Sequence, residues 1–265
     1  MNRVALVVVC CVGALAEAAV PWKTVADGVE YAELRREAAS SDVFQVVRID
    51  PTRAQLKAMM ASAEGKAHTA SEWCESGHLV AAINLGMYLD DHLSNVGYAR
   101  RGAHVNQKRW LSKYQSVLAF GPRRAGVPAA VMVDLDVPGA RAKLDDYDTV
   151  IQNLRLVRAP GKGAWGPQPR RWSEAAVALD RAGRVLFVFA RVPHSMAEFN
   201  QILLTLPLEV VNAMHVEGGP EASLSLRGAV RLDANGSFET GFNENDGVAQ
   251  QWEIPNVLGV VAKKP

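Results

Sequence analysis

Along most of the chain, apolar residues fall into short runs or alternate with polar ones, and Gly, Pro, Asn and Asp break the pattern between them. Gly28 to Leu34 and Phe44 to Ile49 read as strands, the second ended by Asp50-Pro51. Thr52 to Ala63, with Ala54, Met59 and Met60 apolar, reads as a short helix. Thr69-Ala70-Ser71-Glu72 has the form of a capping box, which predicts a helix that starts there and stops at Gly77. Leu79 to Ile83 is an apolar run of buried-strand type. Val117 to Phe120, Ala130 to Asp134 and Thr149 to Val157 are further strands. Ala175 to Leu179 and Val185 to Ala190 flank the turn Asp180-Arg181-Ala182-Gly183-Arg184 and predict a hairpin. Ser195-Met196-Ala197-Glu198 is a second capping box, opening a helix that runs to about Leu206, before Pro207. A strand at Ala213 to Val216, a hairpin around Arg227-Gly228 and a last strand at Val257 to Ala262 complete the pattern. The expectation is a single α+β domain with a mixed multi-stranded sheet and several short helices.

The N-terminus departs from this pattern. Arg3 precedes an apolar run from Val4 to Leu15, and Ala16-Glu17-Ala18 supplies a small-x-small cleavage site, so residues 1–19 read as a secretory signal. About twelve apolar residues fall well short of the roughly twenty that span a bilayer. The expected product is an exported, periplasmic or secreted domain of residues 20–265 with no membrane span. Of the three cysteines, that cleavage leaves Cys74 alone, so neither a disulfide framework nor a cysteine metal cluster is expected. Twenty-nine Lys and Arg against 28 Asp and Glu give a formal charge of +1. That scattered balance argues against a nucleic-acid partner.

Several catalytic signatures are missing: the phosphate-binding P-loop, the dinucleotide glycine fingerprint, the Gly-x-Ser-x-Gly elbow and the His-Glu-x-x-His zinc helix. The six histidines are dispersed, so no cofactor is expected, and a divalent metal is left open only through distant residues. Two short stretches carry the candidate chemistry. Asn84-Leu85-Gly86-Met87-Tyr88 follows an apolar strand. It either sets a side-chain amide at the sheet's end, with a backbone that a ligand can approach, or is an ordinary strand-to-turn transition. In His215-Val216-Glu217-Gly218-Gly219-Pro220-Glu221-Ala222-Ser223, a carboxylate precedes paired glycines whose N–H groups can form an anion-binding concavity. A tight turn with solvated glutamates is the plainer alternative.

In this order, the two stretches resemble the phosphodiester glycosidase domain family. The Asn84 to Tyr88 segment, the Gln-containing strand Gln152-Asn153-Leu154-Arg155-Leu156, the hairpin at Ala175 to Phe189, the Glu217-Gly218-Gly219 segment and Ile254-Pro255-Asn256 all match its pattern. The likeness runs over about residues 28 to 262. Glu217 stands where many relatives have Asp, and Leu85 replaces a small residue. Glu174 stands near where the lysosomal-type enzymes have an Arg, whose planar fork suits a phosphodiester anion.

The resemblance implies hydrolysis of the C1–O bond of a sugar 1-phosphodiester or related glycan conjugate, with Glu217 acting on the sugar side and Asn84 positioning the substrate. Gly218 and Gly219, with Arg155 or Arg171, would take the phosphate; Arg170 and Arg158 lie close enough in sequence to contribute. Gly86, Glu221, Ser223, Asn256 and His194 complete the expected substrate-binding set, while Trp165 and Trp172 either stack on a sugar or pack in the core. The other reading is a non-catalytic carbohydrate- or envelope-binding relative that has lost its phosphate clamp through Glu174.

Overall fold

The computed structural model describes residues 20–263, so the expected signal segment lies outside the described residues. The described strands form three sheets, all paired antiparallel. The largest has eight strands in the order Lys23–Ala26, Val29–Leu34, Phe44–Ile49, Val185–His194, Trp172–Asp180, Val210–His215, Arg155–Arg158, Lys162–Gly163. A second has five, ordered His104–Gln107, Ala99–Arg101, Tyr147–Asn153, Ser116–Pro122, Ala130–Asp134. The third has five, ordered Arg231–Asn235, Ser223–Arg227, Ala81–Asn84, Asn256–Ala262, Ala54–Met60.

One hydrophobic core joins the three sheets, which makes the fold a single α+β domain. Val47, Val177 and Phe187 enter it from the first sheet, Leu118 and Ile151 from the second, and Ile83, Leu224 and Leu258 from the third. The helix Met196–Thr205 covers the outer face of the first sheet, packing Phe199, Ile202 and Leu203 on Phe44, Val46 and Val188. The helix Ala70–Gly77 covers the third sheet with Trp73 and Cys74. Both helices start in complete capping boxes, at Thr69 and Ser195. Burial pushes the Cys74 thiol up to about 12, so it behaves as a packing residue. No helix among the described residues is long and apolar enough to cross a membrane.

Two expected elements change. Thr52 to Ala63 is not a helix: Ala54–Met60 is a strand, followed by the single turn Ala61–Glu64. Ala54, Leu56, Ala58 and Met60 alternate into the central core, and the strand pairs along its whole length with Asn256–Ala262. Inter-strand pairing therefore overrides a weak helical spacing. The single strand expected over Thr149 to Val157 is two strands, Tyr147–Asn153 and Arg155–Arg158, and they belong to different sheets. The break is at Asn153, whose Oδ1 accepts the N–H of Leu154 at 2.8 Å, satisfying by side chain a donor that would otherwise need a ladder partner.

Candidate active site

The junction of the three sheets brings together the chain segments picked out in the sequence. Asn84 ends its strand, fully buried. Its Oδ1 accepts the N–H of Ser223 at 3.1 Å, and its Nδ2 donates to the Glu217 carbonyl at 3.4 Å. Asn153 donates from Nδ2 to the Val216 carbonyl at 3.2 Å. Two buried amides, each from a different sheet, thus hold the backbone on either side of the Glu217 peptide. Asn84 is a positioning residue in this arrangement, since both ends of its amide are engaged within the protein.

Glycine is required where these segments meet. Gly86 has φ +82°, and a Cβ there would lie 2.4 Å from Asn95 Oδ1. Gly219 has φ +69°, and a Cβ would lie 2.6 Å from Glu239 Oε2. Both positions combine left-handed backbone with a close side chain, so only glycine fits without strain.

Glu217, Glu221 and Glu239 line a cleft with Met87, Tyr88, His92 and Phe242, enclosing about 440 Å³. Burial pushes the Glu217 carboxyl well above the usual carboxylate range; the neighbouring Glu221 and Glu239 charges add to this, and the Gly218 N–H, 3.3 Å from Oε1, opposes it. Glu221 is raised to about 7, again chiefly by burial, with Glu239 reinforcing it and the Tyr88 hydroxyl opposing it.

The cleft continues past Glu217 into a smaller arm of about 310 Å³ lined by Trp165, Arg170, Trp172, His215 and Gly218. His215 Nδ1 lies 3.0 Å from Oε2 of Glu174, a carboxylate with no solvent exposure. Burial raises the Glu174 carboxyl above the usual carboxylate range, and the His215 contact only partly opposes this. Trp172 meets the His215 ring edge-on at 6.2 Å. Arg170 stands 5.7 Å from the Trp172 ring and 3.6 Å from Glu239 Oε1.

The other residues expected at the site are distributed less uniformly. Arg155 pairs with Asp136 at 2.8 Å and Asp134 at 3.3 Å, while Arg171 pairs with Glu198 at the start of the Met196–Thr205 helix. Neither lines the cleft; Arg170 does. His194 is buried between Phe44 and Phe199, with Asp42 at 3.2 Å, and its pKa is lowered, chiefly by burial. Ser223 and Asn256 flank the Asn84 strand end, buried, with the Ser223 hydroxyl and both Asn256 amide atoms unpartnered. Glu239 and the Glu174–His215 pair are site features that the sequence pattern does not single out. Glu239 sits in a loop without periodicity. The pair was in principle visible as polar residues on adjacent, otherwise apolar strands, where Ala176 stands opposite His215.

Among the described residues, no three His, Cys, Asp or Glu side chains gather in an arrangement that could hold a metal ion. The phosphodiester glycosidase family model matches residues 77–261, which holds Asn84, Glu174, His215 and Glu217. The chain belongs to the phosphodiester glycosidase family. No curated protein matches it by sequence. Among solved structures, the catalytic domain of zebrafish N-acetylglucosamine-1-phosphodiester alpha-N-acetylglucosaminidase aligns with a TM-score of 0.61 at 12% identity, covering 94% of this chain and 85% of that one. A hypothetical protein from Synechocystis aligns with a TM-score of 0.60 at 14% identity, covering 89% of this chain. This glycosidase-family chain spans only 62% of the Synechocystis chain. At such identities the likeness is one of fold.

Proposed function

We propose that this phosphodiester glycosidase hydrolyses the C1–O bond of a sugar 1-phosphodiester, or a related glycan conjugate, at the Glu217 cleft. The observation that carries the reading is the placement of Glu217. A buried carboxyl whose pKa is raised by its surroundings stands between an acidic, aromatic cleft suited to a sugar and a smaller arm that holds Arg170 and His215. Two neighbouring carboxyls in one cleft are the usual basis of paired acid and base roles.

In this mechanism the phosphate lies in the smaller arm. Arg170 and the His215 imidazole fixed by Glu174 face it there. Water attacks C1, the C1–O bond breaks with its electron pair passing to the phosphate oxygen, and Glu221 takes the proton the water gives up. Glu217 delivers its proton to the departing oxygen. A phosphate ester already leaves more readily than a sugar alkoxide, so protonation of Glu217 matters as much for removing one negative charge from the path of an anionic substrate. Asn84 and Asn153 keep the Glu217 peptide in place and take no part in the proton transfers.

We also infer export, on the strength of Arg3, the apolar run that follows and the Ala16-Glu17-Ala18 site. The acidity of the cleft favours a second reading, a glycan-binding relative without turnover: three carboxylates face it, and Arg155 and Arg171 are engaged elsewhere. Incubation of the domain with sugar 1-phosphodiesters, beginning with that of N-acetylglucosamine, separates the two. Release of free sugar supports the hydrolase, and glycan binding with no release supports the binding relative.

A further inference from the structure

Beyond Glu221 the cleft opens into a third arm of about 930 Å³. It shares Tyr88, His92, Glu221 and Phe242 with the central cleft, so it adjoins the space that holds the Glu217 carboxyl. Its volume stands near the top of the roughly 300–1,000 Å³ typical of ligand pockets, far more than one sugar ring at Glu217 requires.

The lining of this arm is specific in two ways. Phe242 is 62% exposed, the most exposed of the large hydrophobic residues described, and Trp252 is 37% exposed. They meet edge-to-face at 6.1 Å on the wall of the arm. Among the described residues both rings keep an open face, and an aromatic face beside polar groups suits the C–H face of a pyranose. The charged groups along the arm are all acidic. Asp233 is paired with Arg227 and Glu72 is engaged by the Thr69 cap, which leaves Glu253, besides Glu221, and the Gln250 amide for a ligand. No lysine or arginine is among the described lining residues. Such a surface disfavours phosphate and favours a neutral polyol whose hydroxyls donate to carboxylate and amide oxygens. The arm on the other side of Glu217 has the opposite character, with Arg170 and His215.

We propose that the 930 Å³ arm is a glycan subsite and that the substrate is an oligosaccharide joined through its reducing-end C1 to phosphate. The reducing-end sugar sits at Glu217, the phosphate occupies the small arm, and the following neutral sugars run along Phe242 and Trp252. This deepens the hydrolase reading and rests on it for the position of the phosphate. The glycan subsite itself does not depend on turnover.

The test compares 1-phosphodiesters of N-acetylglucosamine and of its β-1,4-linked di- and trisaccharides, all with one aglycone, on the wild-type chain and on the Phe242→Ala and Trp252→Ala variants. The expected result is a kcat/KM that rises with chain length. In the variants the trisaccharide-to-monosaccharide ratio falls by about tenfold, as the loss of one good aromatic contact implies. Equal kcat/KM at all lengths overturns the subsite, as does a length dependence that both variants retain. If no substrate is turned over, calorimetric titration with the free chito- and cello-oligosaccharides decides the matter. Length-dependent binding lost in the variants upholds the subsite and sets aside the hydrolase reading, whereas no binding of either series overturns the subsite. Both substitutions are at exposed positions, and unchanged thermal melts establish that the variants are folded.

Discussion

His215 Nδ1 and Glu174 Oε2 stand 3.0 Å apart on neighbouring strands, and the carboxylate is sealed from solvent while the imidazole lines the small arm of the cleft. From the sequence alone, Glu174 is expected to cost the site its phosphate clamp. Its position gives it another role: it faces the histidine and orients a ring whose remaining nitrogen is left for the cleft. Glu174→Gln keeps the shape and removes the charge. The account predicts a rise of about tenfold in KM for a sugar 1-phosphodiester, the scale of one charge-assisted hydrogen bond, with a smaller change in kcat. Steady-state kinetics of the variant check this; a KM equal to that of wild type removes the pair from phosphate binding.

Asn84 joins the third sheet to the Glu217 segment through hydrogen bonds to Ser223 and Glu217. Asn84→Ala leaves both partners buried and unsatisfied, at a cost of roughly 1–3 kcal/mol for each orphaned group. Thermal unfolding and turnover are expected to fall together. Lost turnover with an unchanged melting temperature would instead mean that the amide touches substrate.

Much of this arrangement was legible beforehand because it is local. Both capping boxes, the Asp180–Arg184 turn and the last strand depend on neighbours in sequence, and each forms where the residues predicted. The Glu217 segment was visible for the same reason, as an acid followed by paired glycines. What could not be read off depends on distant partners. Ala54–Met60 is a strand because Asn256–Ala262 lies beside it. Arg155 was a reasonable phosphate ligand until Asp134 and Asp136 engaged it. Arg170 and Arg171 are adjacent in sequence, yet the first lines the cleft and the second pairs with Glu198.

Glu221 makes a pH-dependent contribution to stability. Its carboxyl titrates near 7 in the fold against an ordinary value of 4.5. Between those values the unfolded chain has released a proton that the folded chain still holds, so stability falls as pH rises through this window. The loss is on the order of 3 kcal/mol by the end of it. Glu221→Gln removes this term, and urea denaturation at pH 5 and pH 8 should show a flatter dependence than wild type.

The same two carboxyls shape the rate. Turnover needs Glu221 ionised and Glu217 protonated, so kcat/KM is expected to rise through about pH 7 with Glu221. The rising limb should disappear in Glu221→Gln, and a limb that stays in place assigns the base to another group.

The most direct test is turnover of a panel of sugar 1-phosphodiesters by the wild-type domain, from about residue 20 onward, beside Glu217→Gln. The variant keeps the size of the side chain and the backbone contacts of Glu217 but cannot deliver a proton. The account predicts free sugar from the wild type and a rate at least about two orders of magnitude lower from the variant, with both proteins melting as folded domains. Equal rates would remove Glu217 from the chemistry and contradict the mechanism at its centre.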